Sequence, residues 1–326
     1  MHRSALLLLL LTVAAAAAAG VHGRARPADG TPAGKFWEHA LPGSPMPEAV
    51  AELVQKGIDH SPLLPRNSSS AAPYIVQGCR FEYICHFKAA ADAAAATGVF
   101  FREEEARVGA TMAVYFPAAA GAAVLPGILP RAAAAGAPFG DLAAVLARFG
   151  VAPGSDQAAE VEDTLRWCRA PPVAGERRAC ATSLEATVGA AARMLDTAAA
   201  AGGMWAAASA LPKGGGLPRQ EYAVAAVQEL GGGGRHVSCH VAPFPYAVYQ
   251  CHATAPESSR ALVVTLRGLE RGGPEVAMVA VCHLDTRGWN PEHPGLEALH
   301  TKPGGAPVCH FMPYGHMVFG VKAAQP

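Results

Sequence analysis

The chain has 326 residues, and its 26 Lys and Arg residues balance its 26 Asp and Glu residues, so the formal net charge is zero. This balance argues against a protein that binds nucleic acid or another highly charged surface through its net charge. The length is sufficient for one large domain or two small domains with a hydrophobic core.

The N-terminus has the pattern of a secretory signal peptide. Arg3 precedes an uninterrupted apolar run from residue 5 to residue 19, and Ala18, Ala19 and Gly20 form a small-residue cleavage site. We therefore predict a signal peptide at residues 1–20 and a secreted protein, with a signal anchor as the alternative. No second apolar run of spanning length follows, so we expect no membrane span.

Residues 21–98 form a variable segment rich in Pro, Ala and Ser. We expect it to be extended and poorly ordered as far as residue 73, apart from an aromatic patch at 37–47 and one short helix at 48–54. Asn67 begins an Asn-Ser-Ser acceptor for N-glycosylation, which fits an exported chain.

Residues 99–323 have the patterns of a compact domain. A strand is predicted at 107–116, followed by helices at 141–149, at 156–167 and from Thr182 to about residue 201. Ser155 is the predicted N-cap of the second of these helices, and Thr182 to Glu185 match a capping box. Further strands are predicted at 236–241, 246–254, 261–267, 276–284, 307–311 and 317–322. Helices that precede strands indicate an α+β fold with an antiparallel β-sheet in the C-terminal part.

The Cys-His dipeptide occurs five times, starting at Cys85, Cys239, Cys251, Cys282 and Cys309, whereas 8 Cys and 13 His would give roughly 0.3 by chance. Neighbouring side chains of a strand point to opposite faces, so the repeats predict a sulfur face and an imidazole face. A hairpin centred near Pro245 would set Cys239 opposite Cys251, with their histidines diagonal on the other face.

The last four dipeptides are separated by ten, twenty-nine and twenty-five residues, which resembles the signature of the plant BURP-domain family. Other stretches resemble the same family: 99–116, Trp167-Cys168 with Gly175-Glu176, Cys180 to Glu185, Asn290-Pro291 with His293, Lys302 to Gly304, and Trp37 to Pro47. The resemblance covers most of residues 99–323 and implies a BURP domain.

Cysteines of an exported chain are expected to be oxidised, which leaves the imidazoles as metal ligands. Imidazole suits copper or zinc, so copper held by some of His240, His252, His283 and His310 is the leading hypothesis. A zinc site of mixed Cys and His and a structural His cluster without metal are the alternatives. Asp285 shares strand parity with His283, which would let it orient that ring, but a solvated carboxylate is the favoured interpretation.

The resemblance also bears on the disulfides. It implies that Cys168 and Cys180 join two helices, and that Cys239, Cys251, Cys282 and Cys309 form disulfides among themselves, in one of three pairings. Cys79 and Cys85 are expected to pair with each other, with a fifth metal-ligating dipeptide as the alternative. His293, His300 and His316 lie near the last dipeptide and are expected to be solvated loop residues, with an extension of the histidine cluster as the alternative.

Two functions are implied by the resemblance. The first is a structural or developmental role in the apoplast or cell wall, with wall or matrix components as partners. The second is a copper-dependent peptide cyclase that crosslinks Tyr or Trp side chains of a core peptide. The one candidate core in the chain is Gln77 to Tyr83, and no repeated core peptide precedes the domain, which favours the first function.

Overall fold

The computed structural model describes residues 30–56, 96–116 and 127–322, apart from residues 174, 198–202, 213–214, 232–234 and 256. The predicted signal peptide, the acceptor Asn67, the candidate core peptide and the Cys79 and Cys85 pair lie outside these residues. No helix in the described part is both long and apolar enough to cross a membrane.

Two helices of the N-terminal segment are part of the fold. Helix α1 (Pro32–Ala40) begins after Thr31, whose side chain accepts a hydrogen bond from the amide of Gly34, and α2 (Glu48–Lys56) follows. The α2 helix confirms the short predicted helix. The expectation of an extended, poorly ordered segment is wrong where α1 begins, ahead of the aromatic patch, and both helices bury apolar side chains in the core.

The helices between the first and later strands are α3 (Arg131–Ala135), α4 (Leu142–Phe149), α5 (Asp156–Arg169) and α6 (Leu184–Met194). Ser155 caps α5 as predicted, with the amide of Ala158 donating to its hydroxyl over 3.2 Å. The predicted capping box at Thr182 is wrong. Ser183 caps α6 instead, and Glu185 accepts a hydrogen bond from the amide of Arg131 at 2.9 Å. A short helix, α7 (Pro294–Ala298), lies late in the chain.

The strands confirm the α+β class, but they form two antiparallel sheets where one was predicted. The six-stranded sheet has the order β1-β10-β9-β8-β5-β2, and the five-stranded sheet has the order β3-β7-β6-β11-β4. Their bounds are β1 (Phe100–Phe101), β2 (Thr111–Phe116), β3 (Arg177–Ala181), β4 (Met204–Ala207), β5 (Leu217–Glu229), β6 (His236–Ala242), β7 (Val248–Ala253), β8 (Ser259–Gly268), β9 (Glu275–His283), β10 (Val308–Phe311) and β11 (Met317–Val321).

The two sheets pack face to face. Ala207 and Val318 of the five-stranded sheet form one buried cluster with Val263, Val279 and Val281 of the six-stranded sheet. The outer face of the five-stranded sheet is covered by α1, α2 and α6, and that of the six-stranded sheet carries a second core built around aromatic residues of β1 and β10. Each sheet is therefore buried on both faces near the strands that carry the Cys-His dipeptides.

Candidate metal centre

The cysteines of the four C-terminal dipeptides form two disulfides between neighbouring strands. Cys239 of β6 lies opposite Cys251 of β7, as the hairpin centred near Pro245 predicts, and the two are joined. Cys309 of β10 lies opposite Cys282 of β9, and these are also joined. All four cysteines are fully buried in the outer cores, so a mixed Cys and His zinc site has no thiolate among them.

The third disulfide joins Cys168 to Cys180. Cys168 lies in α5, but Cys180 lies in β3, so this bond links a helix to an edge strand and not two helices as expected. It holds α5 beside the end of the five-stranded sheet that carries His252.

The histidines of the dipeptides point the other way, into the space between the sheets. The Nε2 atoms of His240 and His252 are 3.2 Å apart, and those of His283 and His310 are 3.3 Å apart. Across the two sheets, the ring centroids of His240 and His310 are 5.4 Å apart and those of His252 and His283 are 6.0 Å apart. The four residues selected from the sequence therefore form one cluster.

Two histidines that sequence reasoning placed in solvent belong to this cluster or adjoin it. His316, just before β11, has its Nδ1 3.2 Å from Nδ1 of His240, and it is 2% exposed. His293 is also 2% exposed, and its ring centroid lies 4.1 Å from that of Trp289. The expectation was wrong for both, because each ring is buried against other aromatic or imidazole rings. His300 is exposed as expected.

A carboxylate also enters the cluster, but it is not Asp285. The exposed side chain of Asp285 binds Arg287 at 2.7 Å, which is a surface ion pair. Glu176, in the turn before β3, lies instead with Oε1 3.1 Å from Nδ1 of His252. Burial acts to raise the pKa of Glu176, but the hydrogen bond to His252 and the charges of His252 and Arg178 together lower it. In the sequence, the only signal for Glu176 was its place in the Gly175-Glu176 stretch that resembles the family.

The cluster opens onto a cleft at one end of the sandwich. The cleft is narrow, with a cavity volume of about 50 Å³, and it is partly open to solvent. Its lining includes Glu176, His252, His283, His293, Trp167 and Trp289. Part of the histidine cluster is therefore within reach of a molecule from solvent, while His240, His310 and His316 lie behind it.

Four histidines of the cluster, His240, His283, His310 and His316, are held in the neutral form. Burial lowers the pKa of His310 to about 4 and that of His316 to about 3. Burial, followed by the charges of neighbouring imidazoles, pushes the pKa of His240 and of His283 well below the ordinary value. A neutral imidazole has one lone pair available, which is the form that binds a metal.

The donor atoms fit copper or zinc in part. Two nitrogens that bind one tetrahedral ion at 2.0–2.1 Å lie about 3.3 Å apart, close to the spacing within each histidine pair. Nδ1 of His283 and Nε2 of His316 are buried without a hydrogen-bond partner among the described residues. However, no three His, Cys, Asp or Glu side chains of those residues converge on one metal position as they stand. Rotation of one imidazole pair toward the other is needed to complete a centre.

These features define a disulfide-linked sandwich of two antiparallel sheets with a buried imidazole cluster. The model of the BURP domain matches residues 99–321. Protein RAFTIN 1B of Triticum aestivum is 38% identical over 347 residues, and the alignment covers 92% of each protein. The chain therefore belongs to the BURP-domain family of plant proteins, as the dipeptide spacing predicted.

Two further relatives match over the domain alone. BURP domain-containing protein 13 of Oryza sativa subsp. japonica is 50% identical over 229 residues, which are 69% of this chain and 53% of that protein. BURP domain protein RD22 of Arabidopsis thaliana is 36% identical over 228 residues, which are 68% of this chain and 55% of that protein. The chain thus spans about half the length of these two relatives.

Proposed function

We propose that the protein is secreted and has a structural or developmental role in the apoplast or cell wall, with the histidine cluster as a copper-binding centre. The observation that carries the proposal is the separation of the dipeptides into buried cystines and a buried cluster of neutral imidazoles. Three disulfides suit an oxidising compartment. Imidazoles without thiolates suit copper.

In this proposal His240, His252, His283 and His310 hold the ion, one pair from each sheet. The cystines on the outer faces fix the strand register, so the imidazoles stay opposite each other whether or not the ion is present. Glu176 and the backbone carbonyl of Phe311 hold the outer nitrogens of His252 and His310. Such partners orient ligand rings and raise their basicity.

Copper binding is tested on protein purified from a secreting host and freed of metal. We expect one or two Cu(II) ions per chain, with nitrogen hyperfine structure in the electron paramagnetic resonance spectrum. Replacing His240 and His283 together by Ala removes one ligand from each pair and is expected to abolish binding. The matched control is His300→Ala, an exposed histidine outside the cluster. Binding that survives in the double variant would exclude this cluster as the centre.

Secretion is tested separately. The N-terminal sequence of the secreted protein is expected to begin near residue 21 or 24, downstream of the predicted cleavage site. Mature protein that retains Met1 would contradict the signal peptide and, with it, the proposed apoplastic location.

The second candidate function is a copper-dependent peptide cyclase, and the cleft is the observation that favours it. His252 and His283 line the cleft together with two tryptophans, so a peptide aromatic side chain can reach the cluster from solvent. Copper with dioxygen would supply the oxidation of that side chain. The protein's own contribution would be to bind and orient the peptide between Trp167 and Trp289.

Mass spectrometry distinguishes the two functions. Crosslinking removes two hydrogen atoms from the peptide, and dioxygen accepts them, so the cyclase reaction lowers the peptide mass by two hydrogens. Copper-loaded protein would be incubated with peptides that end in Tyr or Trp, including residues 77–83 of this chain. Unchanged masses with a copper-loaded centre would favour the structural or developmental role.

A further inference from the structure

The indole ring of Trp167 lines the cleft, and its N–H has no acceptor among the described residues. The side chain is 6% exposed, and the Nε1 atom itself is buried. A buried donor without a partner costs free energy, so folded proteins normally avoid it. At the wall of a cleft, such a donor indicates a place for an acceptor that belongs to a bound molecule.

Two other tryptophans show how this protein satisfies an indole N–H in its own fold. Nε1 of Trp37 donates to the carbonyl oxygen of Ser44 over 2.8 Å. Nε1 of Trp205 donates to the carbonyl oxygen of Val321 over 3.1 Å. Both acceptors are neutral carbonyl groups of the backbone. A carbonyl oxygen supplied by a ligand would satisfy Trp167 in the same way.

A second polar side chain of the cleft complements this donor. Gln250 lies on β7 two residues before His252 and therefore on the same face of the strand. It is 2% exposed, and it lines the cleft together with Trp167. Its carboxamide has an acceptor oxygen as well as donor hydrogens. A group that offers a carbonyl oxygen to Trp167 and an N–H to Gln250 is an amide.

The charges and the size of the cleft favour a small neutral group. Glu176 and Arg178 both line the cleft, and the positive charge of Arg178 stabilises the Glu176 carboxylate. Their formal charges cancel, so this pair supplies no net charge to offset the desolvation of a bound anion or cation. The cavity volume of about 50 Å³ suits a single small group.

We infer that the cleft binds a neutral amide group and that Trp167 determines this specificity, with its Nε1–H donating to the amide carbonyl and the Gln250 oxygen accepting the amide N–H. Because Nε1 is buried, the cleft wall has to shift for the amide to reach it, but water does not compete for the donor. The inference rests on the cleft being a ligand site, as the second candidate function requires, and it involves no metal.

The state of the indole N–H is tested by ¹H–¹⁵N spectra of the metal-free protein, in which a hydrogen bond moves an indole proton downfield. We expect the proton of Trp167 to lie upfield of those of Trp37 and Trp205. Replacing each tryptophan in turn by Phe assigns the resonances. A Trp167 proton as far downfield as the other two would show that its N–H is already bonded, and it would overturn the inference.

Binding is tested by titration of the metal-free protein with acetamide, N-methylacetamide and acetate. Both amides are expected to bind in roughly the millimolar range, as befits such small ligands, and to move the indole proton of Trp167 downfield until the shift saturates. Tighter binding of acetamide would identify a side-chain carboxamide as the natural group, and tighter binding of N-methylacetamide a peptide backbone. Acetate that binds as well as the amides, or a shift that never saturates, would overturn the inference.

The role of Trp167 is tested with Trp167→Phe, which keeps an aromatic ring but removes the N–H. We expect the affinity for acetamide, read from the side-chain NH₂ resonances of Gln250, to fall about fivefold through the loss of one hydrogen bond. The matched control is Trp205→Phe, because Trp205 packs against Gly320 and is not part of the cleft lining. Unchanged affinity in Trp167→Phe would exclude Trp167 as the donor.

The amide titration and the copper measurement fail independently. A saturable amide shift in a protein that binds no Cu(II) would contradict the proposed copper centre and leave the amide site standing. Copper binding without an amide shift at Trp167 would overturn the amide site and leave the copper centre standing.

Discussion

The two pairs of dipeptides are built alike in sequence but are set differently in the fold. The pair on β6 and β7 belongs to a hairpin, whereas β9 and β10 are separated by residues 284–307, which include α7. His252 meets a carboxylate at the cleft, while His310 meets a backbone carbonyl and is fully enclosed. The same two-residue unit thus gives one histidine pair that contacts a charged side chain and one that contacts the backbone.

Both histidine pairs contain buried imidazoles, so both should lose stability in acid. This is the largest effect that we expect. The pKa of His310 is lowered by burial from an ordinary value of 6.5 to about 4, so the unfolded chain binds more protons than the folded protein between these pH values. The stabilisation of the folded protein by neutral His310 is fully present above pH 6.5, and it is lost as the pH falls toward 4. For His310 alone the loss is roughly 3 kcal/mol, and the other buried imidazoles act in the same direction.

The measurement is the melting temperature of metal-free protein from pH 7 to pH 4.5, where a steep fall is expected. His300→Ala is the matched control, because its imidazole is exposed, and it should leave the slope unchanged. A flat profile would mean that the cluster is not held neutral.

Removing one strand-to-strand disulfide at a time distinguishes the two pairs of dipeptides. Replacing both Cys282 and Cys309 by Ala opens a loop of 27 residues, and the same change at Cys239 and Cys251 opens one of 12. Chain entropy predicts losses of about 3.6 and 2.8 kcal/mol respectively. Urea unfolding of the two double variants measures both, and a larger loss at Cys239 and Cys251 would show that strand packing and not loop length dominates.

The third disulfide should have an effect on the cleft that the others do not. Cys168 and Cys180 are only half-buried, and their bond joins α5 to the edge strand that follows Glu176. Replacing both by Ala is expected to cost about 2–3 kcal/mol and to disturb the His252 resonances while leaving His310 and His283 in place. Equal disturbance of both histidine pairs would contradict this division.

The smallest effect is expected for Asp285, whose carboxylate is close to His283 in sequence but binds Arg287 at the surface. Asp285 follows His283 by two residues, but its side chain is exposed and bound to Arg287. Asp285→Asn should leave the melting temperature and the metal affinity unchanged. A loss of affinity in Asp285→Asn would return this residue to the role that strand parity suggested.

Local patterns predicted much of this fold correctly. Ser155 caps α5 as predicted, and α4 lies within the predicted helix at 141–149, with Asp141 as its cap. Six of the C-terminal strands lie within a few residues of their predicted bounds. The 13-residue strand β5 was missed because it contains Pro, Arg, Gln and several Ala and lies between glycine-rich loops. Helix α1 was missed because its first residues read as a Pro- and Gly-rich loop, although Pro is well tolerated in the first turn of a helix.

The sequence by itself determined which side of each strand a residue occupies, because side chains alternate along a strand whatever surrounds it. That alternation, with the symmetry about Pro245, was enough to separate sulfur from imidazole and to pair Cys239 with Cys251. It contains no information on which other surface the imidazoles meet. Only the tertiary structure placed the two sheets face to face. Packing alone also brought Glu176 to His252 and His316 to His240, although the members of each pair lie far apart in the chain.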